Sequence, residues 1–163
     1  MSRDFFHNHL CCATVWTGNL EGHLVGKYDN VIQTMINVLG NGSVEEQLKC
    51  MRVVCIDTED FGYQEISTGR LTPPFPHLKA PFEFRITLNE HDHDDFDVWA
   101  LVLGHELGHI FEWTKIWGAI NWEEVEMESL CDEFARVWLR TRQNRDEVIT
   151  ILQRLKDGGQ INL

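Results

Sequence analysis

The chain has 163 residues, 43% of them hydrophobic, and a formal net charge of -12 at pH 7. That length and apolar share suffice for one good core, so a single domain over residues 1–163 is expected. Lys and Arg number 14 against 26 Asp and Glu, with no basic stripe, which argues against nucleic acid as a direct partner and against anionic membranes, because both need clustered cations.

The first nine residues, Met1 to His9, lack the apolar core of a secretory signal. No stretch reaches the roughly 18 uninterrupted apolar residues of a membrane span. The five cysteines form no Cys-x-x-Cys pair. Reduced thiols in a cytoplasmic protein are therefore expected rather than a disulfide framework or a zinc ribbon.

Residues 1–28 form a poorly defined segment, with a short strand over Cys12 to Thr17 and then Gly18, Gly22 and Gly26 loosening the backbone. His7, His9, Cys11 and Cys12 match no ligand spacing and read as a floppy terminus. Asp29 is an N-cap for a helix through Val31, Ile32, Met35, Ile36 and Leu39, ended by Gly40-Asn41-Gly42. Ser43 and Glu46 make a capping box for a short helix. Met51 to Ile56 is β-branched and apolar, which predicts a buried strand. A turn at Asp60-Phe61-Gly62, a return strand over Tyr63 to Ser67 and a stiff loop, Thr72 to Pro76, follow. Phe82 to Leu88 alternates apolar with polar residues, the pattern of a half-buried strand.

The acidic run Glu90 to Asp95, with His91 and His93 inside it, reads as a solvated loop. Asp94 and Asp97 cap a helix to about Trp117, which Gly118 stops. Asn121 with Glu124 caps a second helix to about Arg142. Asn144 with Glu147 starts a third, ending at Gly158-Gly159. Strands precede helices, an α+β layout. The aromatics Trp99, Phe111, Trp113, Trp117, Trp122 and Trp138 read as packing within this helical half.

Inside the apolar run Val98 to Phe111 stands His105-Glu106-Leu107-Gly108-His109. Residues four apart share a helix face, so the two imidazoles can grip one zinc ion, with Glu106 near enough to act on its water. A catalytic zinc takes three protein ligands and leaves a fourth position for water. If the bend between the two helices is centred between Gly118 and Asn121, antiparallel packing sets residues 128–132 level with 107–111. Glu128 falls in that band and completes the metal set. Asp132, one turn on, accepts a hydrogen bond from the outer ring nitrogen of His105 or His109. Glu124 is the substitute ligand should Glu128 be a solvated acid like Glu123 and Glu126. Cys131 reads as a buried small hydrophobe.

His105-Glu106-x-x-His109 followed by Glu128-Ser129-Leu130-Cys131-Asp132 resembles the gluzincin pattern. Arg85-Ile86-Thr87-Leu88-Asn89 before it and Glu126-x-Glu128-Ser129-x-x-x-x-Phe134-Ala135 after it are similar to small metallopeptidases of the ImmA/IrrE type. The likeness is clearest over 82–140, with a motif core at 82–142. It implies a zincin-like core: a small, mainly antiparallel sheet packed on the motif helix and a following glutamate helix, with N- and C-terminal helices. It also implies zinc as cofactor and a protein or peptide substrate, regulatory proteins among them. The acidic segment at 90–95 departs from the family, and no helix-turn-helix module is present. Gluzincins add a His, Tyr or Arg that stabilises the oxyanion. Here no histidine follows His109, and the tyrosines are Tyr28 and Tyr63; Arg136 and Arg140 on the glutamate helix are candidates, and the role stays unassigned. Phe84 to Asn89, as a sheet edge, would pair with an extended substrate. The expected function is a zinc peptidase with Glu106 as general base. The alternative is a catalytically weak or inactive zinc-binding protein-interaction module on the same scaffold.

Overall fold

The computed structural model describes residues 10–12, 28–59, 67–72, 84–90, 96–114, 125–140, 142–158 and 161–162. His7, His9, the 60–62 turn, Tyr63, His91, His93, Gly118 and Glu124 lie outside the described residues. In chain order the elements are β1 (Leu10–Cys12), α1 (Asp29–Leu39), α2 (Val44–Cys50), β2 (Val53–Glu59), β3 (Ser67–Thr72), β4 (Phe84–Asn89), α3 (Phe96–Thr114), α4 (Met127–Arg140), α5 (Arg142–Lys156) and β5 (Ile161–Asn162). The fold is α+β, with the sheet strands in the order β1-β3-β4-β2-β5.

The sheet is mixed. β2 and β4 run parallel, with Ile56 opposite Ile86, while β3 pairs with β4, β1 with β3 and β5 with β2 in the antiparallel sense. β4 is therefore interior, hydrogen-bonded to β3 on one side and β2 on the other. This corrects the expectation that Phe84 to Asn89 is an edge open to substrate: its ladder groups are already engaged. Phe84, Ile86 and Leu88 are buried as the alternation requires, but so are Thr87 and Asn89 on the opposite face. A strand covered on both faces is fully buried, not half-buried.

Several boundaries move for local reasons. Of the expected Tyr63–Ser67 return strand, the described part starts at Ser67 and runs on to Thr72, directly before Pro73, where proline holds its predecessor extended. Tyr28, not Asp29, occupies the N-cap of α1, and Asp29 instead places its charge in the first turn, where the helix dipole favours an anion. Ser43 caps α2 as expected, its Oγ accepting from the Glu46 amide at 3.2 Å. The Asn121–Glu124 box does not start α4, because Val125 and Glu126 precede the helix as non-helical backbone. The two-residue β5, too short to show any period, was not expected at all.

Polar contacts of Trp99, Arg145 and Gln47 position α3 and α4. The buried Trp99 donates its indole N–H to the carbonyl of Asn89 at 2.9 Å, which fixes the start of α3 on the end of β4. Arg145 of α5 forms an ion pair with Asp97 in the first turn of α3. The buried Gln47 accepts from Trp138 Nε1 at 3.0 Å and donates to the carbonyl of Gly40 at 3.3 Å, joining α2, α4 and the end of α1. From Trp99 to Phe111 every residue of α3 is buried. It is a core helix, and α4 too is buried all round from Leu130 to Arg136, with its first turn and Arg140 less covered. Phe134 bridges them, edge-on to Phe111 at 5.7 Å and stacked on Trp138 at 6.4 Å. Trp99 and Trp138 thus serve packing. No helix among the described residues is long and apolar enough to cross a membrane.

Candidate metal centre

The site begins with two glycines. A Cβ on Gly104 would lie 2.9 Å from the Ala135 Cβ and 3.0 Å from its Cα; one on Gly108 would lie 2.8 Å from the Cys131 Sγ. Real side chains do not tolerate such separations, so the missing Cβ atoms let α3 and α4 approach closely. Gly104 faces Ala135 and Gly108 faces Cys131, an antiparallel register whose sequence midpoint lies between residues 119 and 120. That is inside the 118–121 interval from which the level of Glu128 and Asp132 was reckoned.

This register sets α4 carboxylates against α3 imidazoles. His105 Nε2 and His109 Nε2 are 3.1 Å apart. The Glu128 carboxylate reaches both: Oε1 lies 3.4 Å from His105 Nε2, and Oε2 lies 2.8 Å from His109 Nε2. Ligand atoms at the corners of a tetrahedron with zinc–nitrogen bonds of 2.0–2.1 Å would be separated by about 3.3 Å. The three groups are thus near the spacing of one small coordination sphere.

Asp132 completes the scaffold. Its Oδ1 is 2.7 Å from His105 Nδ1. With Nδ1–H donating to Asp132, Nε2 is the ring nitrogen of His105 that faces His109 and Glu128. Sequence reasoning left the partner open between the two histidines, and the structure pairs Asp132 with His105.

The electrostatics follow from this arrangement. Burial alone would lower the pKa of His105, which has no exposed surface, but hydrogen bonds to Asp132 and Glu128 and the charge of Glu106 outweigh it and raise the value to about 9. For Glu128 burial pushes the other way, yet hydrogen bonds and charge from both imidazoles hold its carboxyl well below the usual range. Its side chain is 52% exposed, against 0% and 9% for the imidazoles. The site therefore opens to solvent on the Glu128 side.

Glu106 is fully buried, and its charge is felt at His105. Cys131 is buried as expected of a small hydrophobe, but its sulfur is also part of a group with His105 and His109 whose ligand atoms all lie within 4.8 Å of one another. This buried His105, His109, Cys131 group could hold a metal ion. Nothing in the sequence pattern favoured the thiol. The signal that could have found it is Gly108 opposite, which leaves room for a sulfur beside the imidazoles.

The oxyanion candidates separate. Arg140 is exposed at the end of α4, and Arg136 is buried one turn beyond Asp132. The Tyr28 hydroxyl accepts from the Glu126 amide at 3.0 Å, just before α4 begins. Glu124, the substitute ligand, lies outside the described residues. No protein-family model, curated protein or solved structure matches the chain.

Proposed function

We propose that this chain is a zinc-dependent peptidase of the gluzincin kind, acting on a protein or peptide substrate, with His105, His109 and Glu128 as metal ligands on a zincin-like core. One observation carries this reading. Two imidazole nitrogens 3.1 Å apart face the two oxygens of one carboxylate at 3.4 and 2.8 Å. Two nitrogens and a carboxylate oxygen are a donor set that suits zinc. Bound there, zinc would supply the Lewis acidity that activates water near neutral pH and polarises a scissile carbonyl.

The residues of the chain do the rest. Asp132 holds the His105 ring by its Nδ1–H, fixing tautomer and orientation. Glu106, next to His105 on α3, takes a proton on a carboxylate oxygen as attack begins and delivers it to the leaving amine. The half-exposed Glu128 marks the side from which substrate enters.

The second reading is a metal-binding interaction module on the same scaffold. The complete burial of Glu106 favours it, because a working base must reach the substrate. Metal analysis of wild type and Glu106→Gln, combined with a search for new protein termini after incubation with a proteome, separates the two. The peptidase reading expects zinc in both proteins and cleavage products from wild type alone. Equal products from both remove Glu106 from catalysis. Zinc in both without products selects the interaction module. His105→Ala is expected to lose the metal, and unchanged occupancy refutes the ligand set.

A further inference from the structure

Resting on the metal-site reading above, we propose that the Cys131 thiolate is a fourth protein donor to the ion held by His105, His109 and Glu128. The resting site is then closed, and water gains its position only when the sulfur withdraws.

Geometry leads to this. Cys131 lies three residues after Glu128 on α4, hence on the same face. Its ligand atom belongs to one buried group with the two imidazoles, all within 4.8 Å. It faces Gly108, the residue just before His109, where any Cβ would come within 2.8 Å of the sulfur. The next turn of the same helix contact supplies a control. Gly104 meets Ala135 there, so a methyl group suffices to fill the close approach. At Gly108 the chain carries one atom more than that packing requires, and the extra atom is a metal-ligating sulfur.

Chemistry points the same way. Thiolate is a strong zinc ligand, with a bond near 2.3 Å, and four protein donors are the mark of a closed site, three plus water of a catalytic one. On binding, the Cys131 thiol gives its proton to solvent as the sulfur–metal bond forms. Withdrawal reverses this and restores the thiol. The same side chains thereby support a latent and an open form, which differ in whether sulfur or water is the fourth ligand.

The test is cobalt(II) substitution of the full chain, read by absorption, on wild type, Cys131→Ser and Cys131→Ala. Alanine already fills the equivalent position at 135, so the helix contact survives, and far-ultraviolet circular dichroism checks it. Wild type is expected to show an intense near-ultraviolet thiolate-to-cobalt charge-transfer band. Both variants are expected to lose that band, to keep the visible ligand-field bands, and to bind zinc at least about 10-fold more weakly, the lower bound set by loss of an outer partner. A wild-type cobalt protein without the band, or a band unchanged in Cys131→Ala, overturns the inference and leaves the three-ligand site standing. Failure of wild type to bind either metal overturns the site reading itself and this inference with it.

Discussion

The separation of α3 and α4 is the quantity on which the candidate site depends most directly, and Gly104→Ala perturbs it without touching a proposed ligand. The new Cβ would stand 2.9 Å from the Ala135 Cβ, 3.0 Å from the Ala135 Cα and 3.2 Å from Trp138 Cε3. Comfortable carbon–carbon contact is about 3.5–4.0 Å, so the helices must part by roughly half an ångström or more. Overpacking of this kind costs about 1–3 kcal/mol, and exchanging glycine for alanine within a helix returns up to about 1 kcal/mol. The net loss in the metal-free protein is then on the order of 1 kcal/mol, a fall in Tm of about 2–4 °C for a chain of this size. Zinc should suffer more. The imidazoles ride on α3 and the carboxylate on α4, while a metal site tolerates only about 0.2 Å of error in its bond lengths. Zinc affinity is expected to drop about 10- to 100-fold, similar to loss of an outer partner. Competition titration against a chromophoric chelator measures this, with thermal melts of the metal-free protein alongside. Adding Ala135→Gly removes one of the clashing methyls and should recover part of both losses. Unchanged zinc affinity in Gly104→Ala, with a raised Tm, would refute the view that the glycines set the ligand spacing.

Three further outcomes follow from the geometry. Asp132→Asn leaves the ligands in place but weakens the hold on the His105 tautomer, and should weaken zinc binding about 10- to 100-fold in the same titration. In the metal-free protein His105 has a folded pKa of about 9 against 6.5 for an unperturbed histidine. The folded state therefore binds the extra proton between those values, so this contribution to stability is complete below about pH 6.5 and fades as pH rises through 9. Denaturant melts should show metal-free stability falling over that window by a few kcal/mol at most, while zinc-induced stabilisation grows, since the metal must displace that proton. Gln47→Leu leaves the buried Trp138 indole N–H and the Gly40 carbonyl without their glutamine partner. A loss of about 1–3 kcal/mol in chemical denaturation is expected, with zinc stoichiometry unchanged.

What could be read from the chain alone was whatever depended on short-range spacing. Histidines four apart on one helix, and acids four apart on the next, place side chains by helical geometry, so the meeting of His105, His109, Glu128 and Asp132 followed once a bend position was assumed. The Ser43 cap was legible for the same reason. Long-range facts were not. Whether Phe84–Asn89 lay inside or at the rim of the sheet depended on which strands flanked it, and the alternation of Phe84, Ile86 and Leu88 is the same in either place. What distinguishes them is the pairing of β4 with β3 on one side and β2 on the other. The Asn121–Glu124 capping box was a sound local signal at which α4 does not start. Gly104 and Gly108 are, taken alone, mildly unfavourable residues in a helix; the reason for them stands on the opposing helix as Ala135 and Cys131.

The division of the site between α3 and α4 has one more consequence. An ion held by His109 on one helix and Glu128 on the other is a removable staple across the chain between them, and closing such a loop takes conformational entropy from the unfolded ensemble. Loading with metal should therefore slow amide exchange along the facing turns of both helices. Conversely, anything that wedges those turns apart would eject the ion, so grip on the cation and tightness of the helical seam would rise and fall together.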